Sequence, residues 1–316
     1  MDPNILTQTP AGPPPTVAMA MAPMTDTVAA ARYTWKLAHE HYENFTVVSW
    51  LVPKALRQDF CNIYAFCCTA DDLGDEVADR TTALKYLDDF RSQTVACYAG
   101  DTRTAIFTAL RGTIDRHKIP IQPFLDLIDA FVQDQRVQRY ETFDQVLDYC
   151  RRSADPVGRL VLYLGGYSDP ERQSYSDKIC SALQLANFWQ DVRPDILRRN
   201  RIYIPAESME RFGVTQEQII AGRCDQNYRN LLHFEVDRAA DMFRQGRPLL
   251  PLIRASMRTQ ISLFSRGGLA ILESIRRLNY DTLTTRPRLS QTQKLGLMGR
   301  AVMAMAIKTV MPGGRK

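Results

Sequence analysis

The chain has 316 residues, 45% of them hydrophobic and 24% charged, with 40 Lys and Arg against 35 Asp and Glu. These proportions suit a folded protein with a large core and exclude a mostly disordered one, while 16 Gly and 17 Pro exclude collagen-like and low-complexity classes. The excess of +5 is mild: it allows an anionic partner, and no nucleic acid is expected.

Residues 1–28 hold six prolines and no Lys or Arg, so a disordered Pro/Ala-rich tail is expected there, without the basic residues of a signal or transit peptide. Helical punctuation begins at Thr25. Asp26 or Thr27 is positioned to cap a helix running to His41, and Pro53 opens a second through Leu56, Phe60, Ile63, Tyr64 and Phe66. Apolar residues spaced by three and four then predict helices near 80–98, 103–117, 121–138, 143–152, 155–164, 170–191, 215–222, 226–245, 248–264, 266–278 and 290–308. Strand alternation and repeats are lacking. The expected architecture is all-α, with one domain over 29–310 and a short flexible tail at 311–316.

Seven Cys without a C-x-x-C pair sit inside apolar periodic segments, which predicts reduced, core-filling thiols and a cytoplasmic protein. With four His in all, a zinc site is not expected. The most apolar stretch, 295–312, is interrupted by Arg300 and Lys308 and is no membrane span. As an amphipathic helix it packs on the core or touches the inner membrane surface peripherally.

Two acidic constellations carry chemistry. In Ala70-Asp71-Asp72-Leu73-Gly74-Asp75-Glu76, Asp71 and Asp75 are four apart, hence neighbours on a helix, and like charges so placed destabilise it. A solvated helix end with Gly74 starting a loop is the alternative. In Asn187-Phe188-Trp189-Gln190-Asp191-Val192-Arg193-Pro194-Asp195, the residues Asn187, Asp191 and Asp195 take successive turns, Gln184 extends the stripe backwards, and Pro194 is expected to distort the last turn. Oxygen ligands on two helices suit Mg²⁺, with Mn²⁺ as a substitute, and a diphosphate completing the shell. Arg193, Arg198, Arg199, Arg201 and Tyr203 follow as a basic-aromatic run suited to phosphate oxygens, unless they form a solvated face. Asp71→Asn and Asp191→Asn are both expected to relieve like-charge repulsion.

Together with His41-Tyr42-Glu43-Asn44-Phe45, Ile63-Tyr64-Ala65-Phe66, Tyr140-Glu141-Thr142-Phe143, Tyr149-Cys150-Arg151-Arg152-Ser153-Ala154-Asp155-Pro156-Val157-Gly158-Arg159, Gln184-Leu185-Ala186-Asn187 and Arg201-Ile202-Tyr203-Ile204-Pro205, these segments resemble the squalene/phytoene synthase family of trans-isoprenoid head-to-head synthases. The match covers about 30–308. The resemblance implies an isoprenoid-synthase helical bundle around a central apolar cavity. It makes Asp71, Asp75, Asp191 and Asp195 catalytic metal ligands, joined by Asn187. It assigns His41, Tyr64, Tyr140, Gln184, Arg201 and Tyr203 to the substrate. For His41 a helix-end hydrogen bond, for Tyr64 core packing and for Tyr140 a surface position are the plainer alternatives.

Ser153-Ala154-Asp155-Pro156-Val157-Gly158, where relatives usually show a Val-Ala-Gly-x-Val-Gly-like segment, resembles the bacterial hydroxysqualene synthase branch of hopanoid biosynthesis. That branch implies presqualene diphosphate as substrate, capture of the rearranged cation by water, and no NADPH. Condensation of two farnesyl diphosphates to presqualene diphosphate, squalene or a phytoene-like product is the alternative. A catalytically inactive helical assembly factor would be expected to lose motif carboxylates, and both pairs are kept. Two departures stand out: Cys68 replaces a common Arg three residues before Asp71, with Arg57, Arg151 or Arg201 as replacements, and the loop from Asp195 to Arg201 is one residue longer than usual.

Overall fold

The computed structural model describes residues 15–40 and 52–288; His41 and the expected helix at 290–308 lie outside them. Among the described residues the structure is helical without strands, apart from an isolated bridge between Pro23 and Thr104. None of these helices is long and apolar enough to cross a membrane. The residues group into two compact units, the first of 15–40 and 55–136, the second of 52–54 and 137–288. The sequence around 136 carries no Pro, Gly or composition break to announce this division.

The first unit contains α1 (Pro15–Ala20), α2 (Thr27–Glu40), α3 (Arg57–Asp75), α4 (Arg80–Tyr98), α5 (Ala105–His117) and α6 (Gln122–Asp134). Asp26 caps α2, its Oδ1 accepting from the amides of Val28 at 2.8 Å and Ala29 at 3.1 Å, and Asp79 caps α4 through Thr82 N at 2.7 Å. Phe66, Phe90, Phe107 and Phe124 form the core, with ring centroids from 4.8 to 6.1 Å apart. A buried polar group is threaded through this unit. Thr113 Oγ1 donates to Asp59 Oδ1 at 2.8 Å, His117 Nε2 lies 2.9 Å from Asp59 Oδ2, and Arg116 also pairs with this carboxylate.

The expected disordered tail is in part a packed element. Pro15 sits at the start of α1, where its missing N–H costs nothing, and α1 lies against α3 and α5 with Ala20 fully buried and Met19 exposed. Met24 N then donates to Arg103 O at 2.8 Å, and Thr108 Oγ1 to Met24 O at 2.7 Å.

The second unit contains α7 (Phe143–Ser153), α8 (Asp155–Leu164), α9 (Pro170–Gln190), α10 (Val192–Arg199), α11 (Ala206–Arg211), α12 (Gln216–Ile220), α13 (Gln226–Gly246), α14 (Leu249–Leu252) and α15 (Ala255–Arg277). Helix α9 is its spine, packed on α8, α13 and α15. The break expected near 265 is absent, and α15 runs unbroken through Gly267-Gly268. Gly268 serves close packing instead: a Cβ there would lie 2.4 Å from the Phe243 ring and 2.8 Å from Leu183. Gly246 likewise lets α13 approach α9, where a Cβ would stand 2.9 Å from Tyr175 O. Helix α6 ends four residues earlier than expected, because the backbone beyond it is taken elsewhere: Gln138 O accepts from Ile202 N at 3.0 Å and Tyr140 O from Ala206 N at 2.9 Å. After α15, Asn279 and Tyr280 adopt left-handed φ of 51° and 61°, which turns 281–288 back along the unit.

Candidate active site

The first acidic motif closes α3. Asp71, Asp72 and Asp75 are half-buried, while Leu73 and Gly74 between them are buried. Gly74 does not begin a loop: the helix continues through it, with Glu76 N on Asp72 O at 2.9 Å. Its lack of a side chain admits Phe131, and its carbonyl accepts from Gln135 Nε2 at 2.6 Å. Asp71 and Asp75 therefore share one helical face, a turn apart. Burial and the Asp72 charge push the Tyr33 phenol up to about 12. Half-buried Tyr64 is hydrogen-bonded with Cys68, whose thiol burial and the nearby Asp71 and Asp72 push up to about 12. A neutral thiol thus stands where an Arg is expected. Arg57 does not replace it, since 14 residues along the same helix are ~21 Å.

The second motif spans the junction of α9 and α10. Ala186, Phe188 and Trp189 are buried, Gln184 is half-buried and Asn187 is exposed. The helix breaks at Asp191, whose φ and ψ are −108° and 18°, yet Asp191 N still bonds Asn187 O at 2.9 Å and Asp195 N bonds Asp191 O at 2.8 Å. Pro194 explains the break, because it offers no donor to Gln190 O. Arg286 is the partner that local spacing did not reveal: its Nε and Nη2 lie 2.5 and 2.9 Å from the two oxygens of Asp191, 95 residues away. The hydrogen bonds to Asp191, with the charges of Asp191 and Asp195, hold this guanidinium above its usual range. Gln190, also without an expected role, donates to Pro287 O at 2.6 Å.

The basic run divides by function. Arg193 donates to the carbonyls of Ile219 and Ile220 and so caps α12, not a ligand. Arg198 and Arg199 are exposed, with Arg199 4.0 Å from Asp195. Asn200 turns the chain with φ 53°, and Arg201 follows, buried, its amide bonded to Asp195 O at 3.2 Å. Tyr203 stacks on Phe188 at 3.7 Å and lies within 5.8 Å of Tyr140 and Tyr149. Tyr140 is 3% exposed, so the surface alternative fails for it. Arg151 is exposed and lies 3.6 Å from Asp148.

The Ser153–Arg159 segment builds a polar cluster between α8 and α9. Asp155 is buried and accepts from Ser181 Oγ at 2.7 Å, while Arg159 forks onto Asp177 at 2.7 and 3.0 Å. The cluster lines an open cleft with Arg151 and Lys178; no residue of either metal motif lines it. Burial first, then the Asp177 charge, push the Asp155 carboxyl up to about 7, against the pull of Ser181, Arg159 and Arg151. The folded state therefore holds a proton that the unfolded chain releases near pH 4, and this contribution to stability fades as pH rises to about 7. Melting of Asp155→Asn beside the native chain between pH 4 and 8 should show the native chain losing up to about 4 kcal/mol relative to the variant. A constant difference across that range would contradict the protonated carboxyl.

Among the described residues no three His, Cys, Asp or Glu converge to hold a metal unaided. The donor set nonetheless fits Mg²⁺, which takes one or two carboxylates and completes its shell with water and substrate phosphate. A cationic group already lies on Asp191 within the field of Asp195, so this end of α9 attracts positive charge.

The fold and motifs have known counterparts. Squalene synthase HpnC from Alicyclobacillus acidocaldarius is 42% identical and aligns with a TM-score of 0.77 over 84% of this chain and 99% of that one. Hydroxysqualene synthase of Sinorhizobium fredii is 34% identical over 213 residues, 67% of this chain and 72% of that protein. Phytoene synthase of Arthrospira platensis is 30% identical over 277 residues, 82% and 88% of the two. The architecture is the all-α isoprenoid synthase fold. The chain belongs to the squalene/phytoene synthase family, whose model matches residues 38–293, and this is a family of enzymes acting on prenyl diphosphates.

Proposed function

We propose that the protein is a hydroxysqualene synthase, which ionises presqualene diphosphate and quenches the rearranged cation with water. The observation that carries the reading is the helical stack of Asn187, Asp191 and Asp195, with cationic charge already drawn to it. The segment Ser153–Arg159 and the likeness to the Sinorhizobium fredii hydroxysqualene synthase support the branch. Asp71 and Asp75 on α3, with Asn187, Asp191 and Asp195, are the residues that would hold Mg²⁺. When bound, that ion neutralises the leaving diphosphate as a Lewis acid. Diphosphate departs with the C–O bonding electrons, the cyclopropylcarbinyl cation rearranges, and a water oxygen forms the new C–O bond and gives up a proton. Gln184 and Asn187 are the polar candidates for holding that water by hydrogen bonding, Asn187 being favoured as a metal or diphosphate contact instead. No nicotinamide takes part in this reading, and the enzyme acts in the cytoplasm or at the inner membrane surface.

Purified protein given presqualene diphosphate and Mg²⁺ in ¹⁸O-labelled water should release an alcohol carrying the label, with no effect of NADPH. Unlabelled squalene formed only with NADPH would overturn the branch. Product from farnesyl diphosphate but none from presqualene diphosphate would instead favour condensation of two prenyl diphosphates, as the likeness to phytoene synthase allows.

A further inference from the structure

Arg286 is delivered to Asp191 by a fastened segment of chain. Pro287 O is held by Gln190 Nε2 at 2.6 Å, and Arg288 O accepts from Ser274 Oγ at 3.4 Å. Upstream, Asp281 accepts from Thr284 N at 3.0 Å and lies 3.7 Å from Arg229, and Thr282 is hydrogen-bonded to the Tyr228 hydroxyl at 2.8 Å. The strap 281–288 is therefore tied to the second unit at four points besides the ion pair. Its guanidinium forks onto both oxygens of Asp191, an arrangement that uses the carboxylate's outward lone pairs. A divalent cation on the remaining lone pairs of the same carboxylate would stand within a few Å of the guanidinium, a like charge. The two occupants oppose each other by charge.

We propose that Arg286 is a positioning residue that competes internally with divalent cations for Asp191, so that the second motif loads metal weakly until an anion arrives with it. The proposal rests on Asp191 being a metal ligand, as in the function proposed above. A bare cation either displaces the guanidinium or binds beside it, and in both cases two like charges are left close together. A cation accompanied by diphosphate gives the displaced guanidinium anionic oxygens to pair with, which removes the penalty. Gln190 acts through the strap, by keeping Pro287 and hence Arg286 in reach.

The test is Mn²⁺ binding to the full chain without substrate, measured by calorimetry, in the native protein, Arg286→Gln, Gln190→Leu and Asp191→Asn, with helicity checked by circular dichroism. Arg286→Gln should bind Mn²⁺ up to about fivefold more tightly than the native chain, the range expected for losing a half-exposed ion pair. Gln190→Leu should shift affinity the same way by less, and inorganic diphosphate should narrow the gap. Affinity lost in Asp191→Asn but equal in the native chain and Arg286→Gln overturns the competition alone. Affinity unchanged in Asp191→Asn overturns the ligand reading and the competition with it.

Discussion

Asp71→Asn and Asp191→Asn should each lower kcat by about a thousandfold or more, since the loss of a metal ligand removes several kcal/mol of charge stabilisation at the leaving diphosphate. Their effects on melting should differ in direction. Asp71 has Asp72 and Asp75 for neighbours on α3, so neutralising it relieves repulsion and leaves the fold as stable or slightly more so. Asp191 is paired with Arg286, and its replacement removes that pair at a cost of up to about 1 kcal/mol, because both partners are partly exposed. The pair with Arg286 thus sets Asp191 apart from the expectation that both changes relieve repulsion. Steady-state rates beside melting curves check both points, and full activity in either variant would contradict the role in metal binding.

The second large effect is on stability. Asp59→Ala should destabilise the first unit by about 3 kcal/mol and lower Tm by roughly 5–10 °C. It removes the acceptor of buried Thr113 and the partner of His117 and Arg116, and leaves Asn62, which donates to Ala109 O and Thr113 Oγ1, as the polar tie between α3 and α5 at this level. Asp115→Ala, which breaks an exposed pair with Arg111, should change stability by less than about 0.5 kcal/mol. Equal melting of the two variants would show that the Asp59 group contributes no more than a surface pair.

Much of the helix map was legible because caps and periodicity agree. The spans 80–98 and 155–164 coincide with α4 and α8, and Asp26, Asp79, Asp169 and Asp225 all accept amide bonds at the starts of their helices. Where expectation failed, a tertiary cause is visible. The break expected near 265 does not occur in α15, where Gly268 leaves the room that Phe243 and Leu183 need. The short helices α10 and α11 follow a proline-broken turn and a loop tied to 138–140, neither long enough to show a period. The carboxylate spacing of both motifs was legible, since i and i+4 share a face whatever the surroundings. The burial of Tyr140 and Arg201 was not, nor was Arg286, because each depends on chain far away in sequence.

The bare backbone of α13 and α15 at Gly246 and Gly268 has a consequence for recombination among relatives. Both glycines touch α9 between Tyr175 and Leu183, and Asp191 lies eight residues, ~12 Å, further along from Leu183. Interhelical distances there are set by atoms that are missing, so a relative's α9 with bulkier faces would be pushed aside and carry its carboxylates with it. A graft of the motif helix alone would then inherit the right ligands in the wrong place. The transferable module is α9 together with α13 and α15, moved as one block.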